Sequence, residues 1–135
     1  MPAKVETLEL ERDYAASPAQ LYDAWTRVDL LGLWFGCAAD KLWTIHDWDV
    51  RAGGRIHVSL DFDGHPFEVT GEFLVVDPPH RLTYRWSGDE TVDVVIEPRG
   101  SGSRLRLTHS FPARGDARAI LTTGWSASLD QLGRV

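Results

Sequence analysis

The sequence predicts an α+β protein. One antiparallel sheet of about seven strands is covered on one face by a long C-terminal helix, and two short helices follow the first strand. Three observations carry that expectation. Between about Lys41 and Phe111, apolar residues recur at every second position in runs bounded by Gly, Asp and Pro, the mark of strands joined by tight connections. After Pro112 the apolar period becomes 3.6 and stays so. At residues 17–20, SPAQ is a helix-start signature placed between the first alternating run and the rest.

The first strand is KVETLELERDY, whose Leu8, Leu10 and Tyr14 share a face. Ser17 is a good N-cap, Pro18 suits the first helical position, and Gln20 completes a capping box. Leu21, Ala24, Trp25 and Val28 then follow at helical spacing. DLLGLWFG is expected to form a second short helix, with Trp34 and Phe35 on it and Gly36 ending it. LWTIHDWDV reads as a strand in which His46, Trp48 and Val50 share the inner face, and Gly53-Gly54 turns the chain. RIHVSLDF places Ile56, Val58, Leu60 and Phe62 together, and Asp63-Gly64 is a hairpin signal. PFEVTGEFLVV groups Phe67, Val69, Phe73 and Val75, with Gly71 the expected bulge or bend. RLTYRW groups Leu82, Tyr84 and Trp86; TVDVVIE groups Val92, Val94 and Ile96; SRLRLTHSF groups Leu105, Leu107, His109 and Phe111. The last helix starts near Asp116 and aligns Leu121, Trp125, Ser128, Leu129 and Leu132, over roughly 28 Å at about 1.5 Å per residue. DPPHR, at residues 77–81, is expected to be an exposed turn, because neither proline can donate to a strand ladder.

Length and composition narrow the function. A chain of 135 residues is expected to form a single domain, residues 1–135, large enough to bury a core without disulfides. The lone Cys37 excludes an internal disulfide framework and suits a cytoplasmic location. No leader and no bilayer-length apolar run stands in the sequence, so membrane insertion is not expected. A net charge of −6 without a Lys/Arg cluster argues against nucleic acid as a partner. The common phosphate-, nucleotide- and metal-binding motifs are absent. His46, His57, His65, His80 and His109 are scattered, and in a strand His46 faces away from Asp47 and Asp49, so no metal and no cofactor are expected.

Taken together, SPAQLYDAWT, LWFG, DVRAGGRIHV, GEFLVVDPPHRLTYRW, LRLTHSF and GWSASLDQL, in that order along nearly the whole chain, resemble the START-like, helix-grip superfamily. Within it, the chain resembles the activator-of-Hsp90-ATPase homologues. The resemblance implies a sheet curled around the long helix with a cavity between them. Members of that family usually continue the final helix beyond the position of LDQL, so a shortened final helix is expected where this chain ends at Val135. The superfamily carries lipid binders, cyclases and sequestering proteins on one scaffold, so the fold alone does not select among them.

The alternation and the resemblance together nominate a cavity wall of Trp34, His46, Trp48, Phe62, Phe73, Tyr84, Trp86, His109, Leu121 and Trp125. For each of these aromatics a plain core role competes with a ligand role, but six tryptophans exceed what a filled core needs. His109 and Tyr84 are the polar members. A general-base role for His109 would need a carboxylate on the same face, and none is evident in sequence. The expected function is therefore non-catalytic binding of a small hydrophobic or aromatic molecule. Modulation of a chaperone ATPase ranks second, because the two-domain activators behind the family name carry a further N-terminal domain not seen in these residues. A polyketide-cyclase-like enzyme ranks third. A chaperone partner and a homodimer are the open alternatives to a small-molecule partner.

Overall fold

The computed structural model describes residues 4–38 and 40–135, the side chains of Cys37 and Phe62 excepted. Strand β1 (Val5–Tyr14) leads into helix α1 (Pro18–Thr26) and the single turn α2 (Val28–Leu31). A two-stranded ribbon, β2 (Gly36–Ala38) with β3 (Lys41–Leu42), precedes six strands: β4 (Thr44–Trp48), β5 (Arg55–Phe62), β6 (His65–Asp77), β7 (Arg81–Trp86), β8 (Glu90–Arg99) and β9 (Gly102–Pro112). Helix α3 (Ala117–Leu132) closes the order. The seven long strands form one antiparallel, curved sheet in the order β1-β9-β8-β7-β6-β5-β4. Every neighbour pair except β1–β9 is consecutive in sequence, as short hairpins require.

Local sequence chemistry accounts for the elements. The Ser17 hydroxyl accepts from Gln20 N–H at 3.2 Å, and Gln20 Oε1 accepts from Ser17 N–H at 3.0 Å, which completes the capping box. Asp63 and Gly64, with φ of 53° and 85°, form the tight β5–β6 hairpin that their sequence signals. The DPPHR turn is exposed at His80 and closes through His80 N–H to Asp77 C=O at 2.9 Å. On the outer face of the sheet, Arg104 pairs with Asp13 at 2.8 Å and Arg106 with Glu11 at 3.2 Å, across the β1–β9 seam.

Three features differ from the alternation read in sequence. A bulge in β4 takes the register from Ile45↔Val58 to Asp47↔His57, so His46 is skipped. Ile45 and Trp48 therefore face inward, and His46 stands exposed on the outer face. A second bulge takes β6 from Phe73↔Tyr84 to Val75↔Thr83. Val76 rather than Val75 then joins the core, and Leu74 is exposed. Gly71 is not the bulge. It is a close approach, where a Cβ would stand 2.0 Å from the Arg85 carbonyl oxygen. Finally, α2 ends at Leu31, so Trp34 and Phe35 lie beyond it and lead into the β2–β3 ribbon rather than sitting on a helix.

The inner face carries Ile56 and Val58 of β5, Phe73 of β6, Leu82 and Tyr84 of β7, Val92, Val94 and Ile96 of β8, and Leu105, Leu107 and Phe111 of β9, all buried. Helix α3 lies across it and buries Trp125, Ser128, Leu129 and Leu132. Its second half is tied down. Tyr14 donates to Leu129 C=O at 2.8 Å, Gln131 donates to Trp34 C=O at 3.1 Å, and the Ser128 hydroxyl both accepts from Gly36 N–H and donates to Gly36 C=O. Its first half is less deeply buried: Ala117 and Leu121 pack against the core but remain partly exposed, and Ile120 is 68% exposed. No helix among the described residues is long and apolar enough to cross a membrane.

Candidate ligand cavity

The space left under α3 is asymmetric. Most of the interior is a close-packed aromatic layer. Trp25 meets Trp34 edge-on at 4.7 Å and stacks on Trp125 at 6.0 Å. Trp48 meets Phe73 at 5.1 Å and Tyr84 at 5.6 Å. Offset and edge-on pairs of this kind add about 0.5–1.5 kcal/mol each beyond their buried area. Beside this layer, under the first half of α3, a cavity of about 110 Å³ remains. Its wall is Phe35, Trp43, Trp86, His109, Leu121 and Trp125, with Gly36, Ile120, Gly124 and Ser128. It adjoins a groove of about 840 Å³ between α3 and the β5–β6 hairpin, whose wall also includes Trp43, Ile120 and Gly124. Leu60, Phe67 and Val69 supply the apolar side of that groove, and Phe67 is 53% exposed.

Three features of the chain make this space. Gly124 sits mid-helix where a Cβ would find no heavy atom within 4 Å. The absence of a side chain there leaves the opening. The Trp43 backbone N–H donates to Phe35 C=O at 2.9 Å, and the Trp43 ring meets Trp86 at 5.6 Å. Phe35 stands between Trp86 and Trp125, at 5.8 and 6.1 Å.

The polar groups of the inner wall are engaged with one another. The Trp125 indole N–H donates to His109 Nδ1 at 2.9 Å. Nδ1 is therefore the unprotonated nitrogen, and Nε2 carries the proton it donates to Glu90 Oε1 at 2.7 Å. His109 is 1% exposed and holds a neutral, fixed tautomer between a carboxylate and an indole. Glu90 reaches it because β8 and β9 pair Val92 with His109, which puts Glu90 on the same face and diagonally adjacent. The expectation that no carboxylate shares the His109 face is thus corrected. Ser128 is closed on Gly36. Among the described residues, the Trp25 indole N–H and the Tyr84 hydroxyl of the aromatic layer are buried with no hydrogen-bond partner. Burial pushes the Tyr84 phenol far above its ordinary pKa, and it does the same at Tyr14.

Of the ten nominated wall residues, Trp86, His109, Leu121 and Trp125 line the cavity. Trp34, Trp48, Phe73 and Tyr84 are buried in the packed layer instead. The indoles of Trp34 and Trp48 donate to the carbonyls of Ala24 and Trp25, both at 3.0 Å. His46 is on the opposite face, bonded to Ser59 Oγ at 2.7 Å and tilted against the His57 ring at 4.6 Å, because the β4 bulge reverses its side. The Phe62 side chain lies outside the described residues. Sequence reasoning missed Trp43, Gly124 and Glu90. Strict alternation through the bulge sends Trp43 outward, Gly124 looks like a weak helix residue, and Glu90 looks like the end of a turn. Among the described residues, no group of three or more His, Cys, Asp or Glu converges to hold a metal ion.

The sequence profile of the family described as activator of Hsp90 ATPase homolog 1-like protein matches residues 15–135. The chain belongs to this family. Solved structures place its fold beside other AHSA1-like proteins. A protein from Chromobacterium violaceum superposes with a TM-score of 0.84 at 23% identity, over 95% of this chain and 94% of that one. The AHSA1-like protein from Aeromonas hydrophila gives 0.78 at 23% identity, over 96% and 90%. CalU16 from Micromonospora echinospora gives 0.72 at 24% identity, over 96% and 75%. At these identities the likeness is one of fold. No curated protein matches the chain.

Proposed function

We propose that this AHSA1-like protein binds a small, planar, largely apolar molecule, seated in the cavity under the first half of α3 and extending into the adjoining groove. The observation that carries the reading is the space itself. Beside the packed aromatic layer lies a void walled by four aromatic rings, with the mid-helix glycine of α3 at its edge. Alone, about 110 Å³ is below the usual range of ligand sites, about 300–1,000 Å³. With the groove it falls inside that range. Removing about 300 Å² of apolar ligand surface from water contributes roughly 7 kcal/mol before association costs, less than the roughly 8 kcal/mol of micromolar binding, so apolar burial drives association and ring stacking and hydrogen bonding must add to it.

The role is non-catalytic in this reading. His109 is the one histidine of the wall, and both of its ring nitrogens already hold partners, so it has no free nitrogen with which to move a proton on a substrate. Modulation of a chaperone ATPase has only the family description in its support. The test is a titration with planar aromatics, fatty acids and polyketide-like compounds, read by tryptophan fluorescence and melting temperature. Saturable quenching with a raised melting temperature is expected for planar aromatics. No response from any compound would refute the reading and turn attention to a protein partner.

A further inference from the structure

The six indoles of this chain divide by what their N–H groups do. Those of Trp34, Trp48 and Trp125 donate inside the protein, and that of Trp25 is sealed in the aromatic layer. The remaining two, Trp43 and Trp86, donate to no protein group among the described residues. Both are half-buried, both line the cavity, and their rings meet at 5.6 Å. An indole N–H is a donor only. The other polar atoms of the wall, on Gly36, His109, Trp125 and Ser128, are paired with one another or with Glu90. With no protein partner, both indole N–H groups are available to a ligand, and among the described residues the side chains of the cavity wall present no unpaired acceptor. Among the described residues no Lys or Arg lines either the cavity or the groove, whereas Glu68 and Asp116 stand at the groove wall.

Resting on the binding reading above, we infer that the ligand class is a neutral planar ring system carrying a hydrogen-bond acceptor, such as an aryl ketone or quinone-type carbonyl, recognised by the indole N–H groups of Trp43 and Trp86. Within the cavity, an alcohol's or phenol's O–H finds no unpaired side-chain acceptor among the described residues and loses its water partner; the carboxylates of Glu68 and Asp116 stand farther out, in the groove. A carboxylate could accept from the indoles, but it would lose its hydration with no cation to replace it and with two carboxylates nearby. A plain hydrocarbon fits the rings and leaves both donors unused.

The test uses three compounds of nearly one shape, 2-acetylnaphthalene, 2-isopropylnaphthalene and 2-naphthoate, titrated against the wild-type protein and against the Trp43→Phe/Trp86→Phe double variant, read calorimetrically. In the wild type, the ketone is expected to bind about fivefold more tightly than the hydrocarbon, one hydrogen bond's worth, and the carboxylate most weakly. In the double variant an aromatic ring remains at each position and the donors are gone. The ketone's preference over the hydrocarbon is expected to vanish, and this ratio is the readout, because the smaller rings change the affinity of both compounds. Equal binding of ketone and hydrocarbon by the wild type overturns the inference and leaves the binding reading intact. So does a ketone preference that survives in the double variant, or tightest binding by the carboxylate. If none of the three binds, the binding reading itself fails. A melting curve of the double variant establishes that it is folded; should it not be, the single Trp86→Phe variant, expected to lose part of the preference, takes its place.

Discussion

Glu90 shows what a residue's neighbours in sequence conceal. It follows Gly88-Asp89, where a carboxylate reads as solvent-facing turn chemistry, and only the register Val92↔His109 reveals that it lies beside a buried imidazole. His109 itself was legible, because it falls on the parity of Leu105, Leu107 and Phe111. The pairing has a measurable signature. Gln at position 90 keeps a carbonyl oxygen that accepts the His109 Nε2–H, whereas Ala leaves that donor buried and unpaired. Glu90→Ala should therefore cost about 1–3 kcal/mol of unfolding free energy and Glu90→Gln less than about 1. Urea unfolding of both variants measures it. Equal losses would mean that the hydrogen bond is not what Glu90 contributes.

At the scale of elements, periodicity found every long strand and the last helix, because burial of one face imposes those periods directly. It failed where a single inserted residue shifts the phase. The bulge in β4 exchanged His46 for Ile45 on the inner face, and the bulge in β6 exchanged Val75 for Val76. A bulge needs no distinctive residue, so nothing in IHDW or FLVV announced one. The short ribbon of β2 and β3 was equally silent, since five strand residues are too few to show a period. In α3 the informative residue is the one that contradicts its element. Gly124 costs a helix interior about 1 kcal/mol relative to Ala, yet it occupies mid-helix with open space before it. Gly124→Ala should raise stability by roughly 0.5–1 kcal/mol while weakening 2-isopropylnaphthalene binding about threefold or more, because the new methyl enters the volume the ligand uses. Stability comes from denaturant unfolding and affinity from calorimetry. A stability gain with unchanged affinity would place the ligand elsewhere.

Across the whole molecule, the sheet and α3 are joined unequally, and the inequality decides where a ligand can enter. The second half of α3 is held by Trp125 against His109, Ser128 against Gly36, Tyr14 against Leu129 and Gln131 against Trp34. The first half is held near its start by Arg118, which donates to Thr7 C=O at 3.2 Å and lies over the Phe111 ring at 5.8 Å; beyond that it overhangs the cavity and groove. Helical hydrogen bonds that lack packing beneath them open with small free energies, whereas those over a close-packed core open only with larger-scale unfolding. Amide exchange in residues 121–124 should therefore run at least about tenfold faster than in residues 128–132, and a cavity-filling ligand should slow the first group while leaving the second little changed. Exchange measured by mass spectrometry or NMR, with and without 2-isopropylnaphthalene, checks both statements. Uniform protection along α3 would mean that the helix moves as one unit, and slowing confined to residues 128–132 would place the ligand at the opposite end of the helix, near the cleft bounded by Tyr14, Leu30 and Leu132.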